Sequence, residues 1–217
     1  MRTILILGDG PNELGTEWEK LLQRDELPAL ARLVHRLLGE PSDMSYSCRL
    51  FRRIVHARGR GTGFSKKTKA ALILARQLGH AALVIVVDRD GDRRKFPSLA
   101  EARSETFPAA GCACALGQAI ETFDAWMIAD GKAIGEAGGD ASRSHPEPEK
   151  LDGKEGTGRH PKDRAVEVFG SRRVLTEKYA IVACHVNLEQ LKNSCPKGFA
   201  PFAEEIREHV LTILPEE

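Results

Sequence analysis

The chain has 217 residues, 41% hydrophobic and 29% charged, and its 32 Lys and Arg against 31 Asp and Glu leave a net charge of +1. That length suits one domain burying roughly 70% of its unfolded surface. The near-neutral balance argues neither for nor against a nucleic-acid partner, so local charge must decide. No apolar run approaches the roughly 20 residues of a membrane span, and the apolar stretch in MRTILILGDG is too short for a signal peptide, so no membrane contact and a cytoplasmic location are expected. Cys48, Cys112, Cys114, Cys184 and Cys195 contain no CxxC pair and read as reduced, mostly packed thiols. The histidines are scattered without ligand spacing.

In chain order, RTILIL (2–7) reads as a buried strand entering the tight turn Gly8-Asp9-Gly10. Helices are expected over 13–23 and 28–38, the second carrying Leu30, Leu33, Val34, Leu37 and Leu38 on one face. A strand over 48–56 precedes a glycine-rich loop, and SKKTKAALILARQLG is a helix with Ser65 as N-cap and Gly79 as stop. AALVIVVD is the second clear buried strand, 97–107 a helix, and CACALGQAI a short third strand. ETFDAWMIADGKAIGEA follows as one helix, with Trp126 and Met127 read as core. Residues 137–160 are rich in Gly, Pro and charge and read as a flexible loop; helices are expected at 161–169, 176–184, 188–193 and 202–214.

The alternation predicts an α/β Rossmannoid core over 1–136, a mainly parallel sheet flanked by helices, with a helical C-terminal extension over 161–217 packed on it. Ligands of such sheets bind beyond the carboxyl ends of the strands. Asp9 follows one strand, Asp88 and Asp90 another and Glu121 a third, so their acids are expected at one edge. Converging carboxylates repel unless a proton or a cation intervenes, and Mg²⁺ (or Mn²⁺), which takes oxygen ligands together with substrate phosphate, is the natural cation. An EF-hand starting at Asp88 is excluded, because Arg93 and Leu99 stand where Gly and Glu are required. A haloacid-dehalogenase-like phosphatase with Asp88 as nucleophile stays open as an alternative, although Gly91-Asp92 replaces the usual continuation of its DxD motif.

LILGDGPNE resembles the first motif of the Toprim domain, the fold shared by topoisomerases, primases and OLD-type nucleases, and VIVVDRDGD resembles its DxD motif. IETFDAWMIAD, HPKDRA and LEQLKNSCPKGFAPFAEEI are similar to segments of small stand-alone Toprim proteins of prokaryotic defence systems. The resemblance implies a phosphodiester-handling centre in which Asp9 takes the place of the catalytic glutamate, Asp88 and Asp90 bind metal, and Glu13 and Asp92 are auxiliary ligands. Here the acid after the first strand is Asp, one methylene shorter than the family's Glu. The activity implied is metal-assisted nuclease chemistry, with Asp9 or Glu121 as base and Lys162 adding positive charge, in possible partnership with an ATPase. A non-hydrolytic nucleic-acid-binding effector subunit is the alternative.

Between Asp43 and Asp88 there is no acidic residue, yet the interval holds nine basic ones: Arg49, Arg52, Arg53, Arg58, Arg60, Lys66, Lys67, Lys69 and Arg76. With Arg89 and Arg93 beside the acids, they predict a sequence-independent contact with the phosphates of DNA or RNA.

Overall fold

The structure, a computed structural model, describes residues 2–15, 21–55 and 63–213. Its centre is a five-stranded sheet in the order β2-β3-β1-β4-β5. Strands β1 (Arg2–Gly8), β3 (Met44–Leu50), β4 (Ala82–Asp88) and β5 (Ala113–Ala119) run parallel, and the two-residue edge strand β2 (Leu21–Leu22) pairs antiparallel to β3.

Side chains alternate across a strand, and here both faces are covered, which is why ILIL and LVIVV carry no polar positions. Leu5, Leu7, Leu83, Ile85 and Val87 face one layer, made by α3 (Gly63–Gln77) and α4 (Lys95–Ala110). Ile4, Ile6, Tyr46, Val84 and Val86 face the other. That second layer is built from α2 (Ala29–Leu37) and the helices after β5: α5 (Asp124–Met127), α6 (Gly131–Glu136), α7 (Pro161–Phe169), α8 (Leu175–His185), α9 (Leu188–Ser194) and α10 (Phe199–His209). The C-terminal helical region is thus part of one of the two layers that cover the sheet. Among the described residues no helix is long and apolar enough to cross a membrane.

The chain passes from β1 to β3 on one side and then crosses to β4 on the other. The parallel order therefore reverses at β1, and the crevice beyond the carboxyl ends of β1 and β4 is the switch point where open α/β sheets bind ligands.

Three expected elements differ. Instead of a helix over 13–23 there is a four-residue α1 (Pro11–Leu14), stopped by Gly15 with a positive φ (71°), and later β2 and a 3-10 turn at Arg24–Glu26; residues 16–20 lie outside the described set. The strand expected at 48–56 starts earlier, at Met44, and gives way to a 3-10 turn over Phe51–Arg53. The single helix expected after β5 is two short ones, because Asp130 leaves the helical conformation and caps α6, accepting the Lys132 and Ala133 N–H groups at 2.9 and 3.3 Å. Within 137–160 the chain makes 3-10 turns at Ala141–Arg143 and Pro148–Lys150, and buried Glu149 accepts the Lys197 N–H at 2.8 Å just before α10.

Trp126 is fully buried, stacked on Phe202 at 5.6 Å and edge-on to Phe199 at 5.2 Å, which fastens α5 to α10. Helix α10 lies against β5 at Gly117, where a methyl group would stand 2.7 Å from Phe202 Cδ2 and 3.0 Å from Val86 Cγ2. Overpacking of this kind costs about 1–3 kcal/mol. Gly117→Ala is therefore expected to lower the free energy of unfolding by about that amount in urea titrations; an unchanged midpoint would mean that α10 is not clamped on β5.

Candidate metal centre

Beyond the carboxyl edge of β1 and β4, oxygens of Asp9, Asp88 and Asp90 lie within 4.8 Å of one another. Asp9 reaches across the switch point and accepts the Asp88 N–H at 2.8 Å. Asp88 accepts the Phe123 N–H at 2.8 Å, so the turn after β5 holds its carboxylate. Asp90 adopts a left-handed backbone (φ 45°), followed by Gly91 (φ 72°), and its side chain is exposed while its oxygen stays within reach of the other two.

Two buried acids stand behind them. Glu13, 3% exposed, folds back from α1 and accepts the Gly10 N–H in a short hydrogen bond. It fits only because residue 8 is glycine: a methyl group there would be 2.8 Å from Glu13 Oε1. Asp124, 4% exposed, accepts the hydroxyl of fully buried Tyr179 on α8 at 2.5 Å. The cleft, about 370 Å³, is also lined by Lys95, Lys162, Arg52 and Phe64.

The electrostatics follow from this crowding. Burial, and then the charges of Asp88, Asp9 and Asp124, push the Glu13 carboxyl well above its usual range. Burial, then Asp9, Asp124 and Asp90, does the same to Asp88. Asp9 is raised by burial, against the Asp88 N–H and the charges of Lys95 and Lys162. Lys95 supplies the closest countercharge: its Nζ donates to the Asp88 carbonyl and to Asp90 Oδ2, both at 2.7 Å. An all-oxygen donor set carrying more negative charge than its ammonium partners neutralise fits a hard divalent cation. Asp9, Asp88 and Asp90 would hold it, with Glu13 and Asp124 behind.

Several residues singled out in the sequence are placed elsewhere. Glu121 has a left-handed backbone (φ 57°); its carbonyl accepts the Asp90 N–H at 3.1 Å, while its carboxylate turns to an ion pair with Arg89. Neither Glu121 nor Arg89 lines the cleft. Asp92 binds the N–H and Nε of Arg94 at 3.0 and 3.1 Å, opening α4 instead of joining the cluster. Of the basic set, Arg52 lines the cleft and Lys67 sits next to it, whereas Arg49, Arg53, Lys66 and Arg93 do not line it, and Arg58 and Arg60 lie outside the described residues. Lys162 does line it, with its Nζ 3.9 Å from a Glu155 oxygen. Asp124, Lys95 and Tyr179 escape a reading by strand ends; the available signal was an acid inside the apolar run TFDAWMIA.

Compared with family models, with curated proteins and with solved structures, the chain matches none.

Because the folded protein raises Glu13 and Asp88 well above their usual 4.5 and 3.8, it keeps protons that the unfolded chain has already lost. Metal-free stability therefore falls as pH rises from the ordinary carboxylate range through the raised values. A divalent cation requires the deprotonated oxygens, so its stabilising effect grows across the same window. Melting curves with and without millimolar Mg²⁺ should diverge more near about pH 8 than near about pH 5. Glu13→Gln should raise the metal-free melting temperature at neutral pH and flatten its pH dependence. Identical curves with and without the cation at both pH values would remove the metal centre.

Proposed function

We propose that the protein is a metal-dependent phosphodiesterase acting on nucleic acid, a nuclease of the Toprim kind. The observation that carries this reading is the convergence of Asp9, Asp88 and Asp90 oxygens within 4.8 Å at the switch point of a parallel sheet. The order of the GDGPNE and DRDGD motifs along the chain supports it, and the resemblance is the sole support for an ATPase partner.

A Mg²⁺ or Mn²⁺ ion bound there supplies Lewis-acid stabilisation of phosphate charge and a more acidic water. The chain's own residues do the rest. Asp88 and Asp90 present ligand oxygens on one side, their separation fixed by the Phe123 N–H and by Lys95. Asp9 has one oxygen tied to the Asp88 N–H, leaving the other to act as ligand or to take a proton, and its raised pKa suits proton transfer nearer neutrality. Lys162 and Arg52, on the cleft wall, face the negative charge of a phosphodiester. Glu121 is held by Arg89, so the role of base falls to Asp9.

The same hydrogen bond favours a second reading. An Asp shorter by one methylene than the family's Glu, with one oxygen committed to a backbone N–H, describes a centre that binds metal and strand without cutting.

Incubation with plasmid and labelled oligonucleotides in Mg²⁺ or Mn²⁺ separates them. Cleavage is expected, reduced on the order of 100-fold or more in Asp88→Asn and Asp90→Asn and within several-fold of wild type in Glu121→Gln. Lys162→Ala should weaken strand binding and lower the slope of log affinity against log salt by about 0.7 on a single strand. Binding without cleavage would favour the effector. Turnover of p-nitrophenyl phosphate through a phosphorylated Asp88 would replace both with a phosphatase.

A further inference from the structure

A second cavity, about 350 Å³, opens beside the acidic cleft and is lined by Phe51, Arg52, Gly63, Phe64, Lys67 and Asp9. Asp9, Arg52 and Phe64 line both spaces, so the two share a border. Their chemistries differ. One is carboxylate and ammonium; the other is aromatic, with cations at its edge. The Phe51 and Phe64 rings lie 20° from parallel with centroids 6.1 Å apart. Lys67 Nζ stands 5.9 Å from the Phe51 centroid and donates to the Arg52 carbonyl at 2.8 Å. Lys95, which holds Asp90, stands 5.6 Å from the Phe64 centroid. Phe51 is buried beneath, whereas Phe64 is half-exposed.

A nucleotide matches this pairing: its planar base packs on an aromatic face, and its sugar places the phosphate a short distance away, at the neighbouring acidic cleft. The volume lies near the lower end of small-ligand sites, roughly 300–1,000 Å³, too small for a length of duplex. We infer that the Phe51–Phe64 cavity receives one unpaired base whose phosphate lies at the acidic cleft, which makes the substrate a single strand or a frayed end. The inference rests on the phosphodiesterase reading and deepens it. Packing on a ring is tolerant of base identity, so it adds strand discrimination without adding sequence preference. A base in a duplex is already stacked and paired, and reaches the pocket only after leaving the stack.

The test uses the whole protein with Ca²⁺ in place of Mg²⁺ and strands carrying the fluorescent adenine analogue 2-aminopurine, whose emission is quenched on stacking. The arms are single-stranded DNA, single-stranded RNA, the free aminopurine nucleotide and the matching duplexes. Quenching is expected on the single strands and much less on duplex, and the nucleotide arm tells whether one unit suffices. Phe64→Ala should abolish the quench and weaken single-strand binding roughly 5- to 150-fold. Because Phe64 also lines the acidic cleft and carries Lys95 over its ring, Mg²⁺-dependent melting of the variant is followed beside it, and a loss on single strands that exceeds any loss on duplex supports the base pocket. An oligonucleotide with an abasic site, tested on wild-type protein, gives the same comparison without relying on a variant. Strand binding with no quench, and no loss at abasic sites or in Phe64→Ala, overturns the base pocket and leaves the phosphate centre standing. No binding of any strand overturns both.

Discussion

Four carboxylates, those of Asp9, Glu13, Asp88 and Asp124, are gathered where the parallel strands end, two of them almost wholly removed from water. Concentrated like charge at low dielectric opposes folding, and the surrounding structure is arranged to contain it. Each acid accepts one directed donor, and the donors come from separate parts of the chain: the Asp88 N–H for Asp9, the Gly10 N–H for Glu13, the Phe123 N–H for Asp88 and the Tyr179 hydroxyl for Asp124. One donor per carboxylate fixes orientation without cancelling the charge. What remains is met partly by Lys95 and otherwise by protons or a cation.

Backbone strain marks the same place. Asp90 and Glu121 are two of the three non-glycine residues with positive φ among the described residues, and they are joined through the Asp90 N–H and the Glu121 carbonyl. Left-handed backbone is uncommon for non-glycine residues and persists where surrounding contacts over-determine it. Here it separates two acids that both follow strand ends: one stays with the cluster, held by Lys95, and the other pairs with Arg89.

That separation shows where sequence reasoning stops. The strands were legible because buried runs such as ILIL and LVIVV end abruptly at Gly8 and Asp88, and strand order then places Asp9 beside Asp88. Position at a strand end does not fix direction, so Glu121 was expected in a site it faces away from. Asp124 was hidden for the opposite reason: inside an apolar segment it read as part of a helix, and its role depends on a tyrosine 55 residues away. The helix expected over 121–137 hid Asp130 in the same manner, since a cap is indistinguishable from a helical aspartate until the chain is seen to bend. Charge counting located a basic interval but could not tell Arg52, on the cleft, from Arg49, held on β3.

The C-terminal helices bear on the acidic cleft as well as on the core. Tyr179 on α8 completes the hydrogen bonding of Asp124, and Lys162 at the start of α7 brings positive charge to the cleft. The position of α7 follows from local rules, with His160 capping the Lys162 N–H at 3.2 Å and Pro161 opening the helix. Its packing follows from the aromatic cluster, where Phe169 meets Tyr179 and Phe123 joins Tyr179 to Trp126. The contacts that cover one face of the sheet are therefore the contacts that aim Tyr179. A change that loosens that layer also withdraws a donor from a buried acid, so core packing and the orientation of Asp124 are coupled through a single side chain.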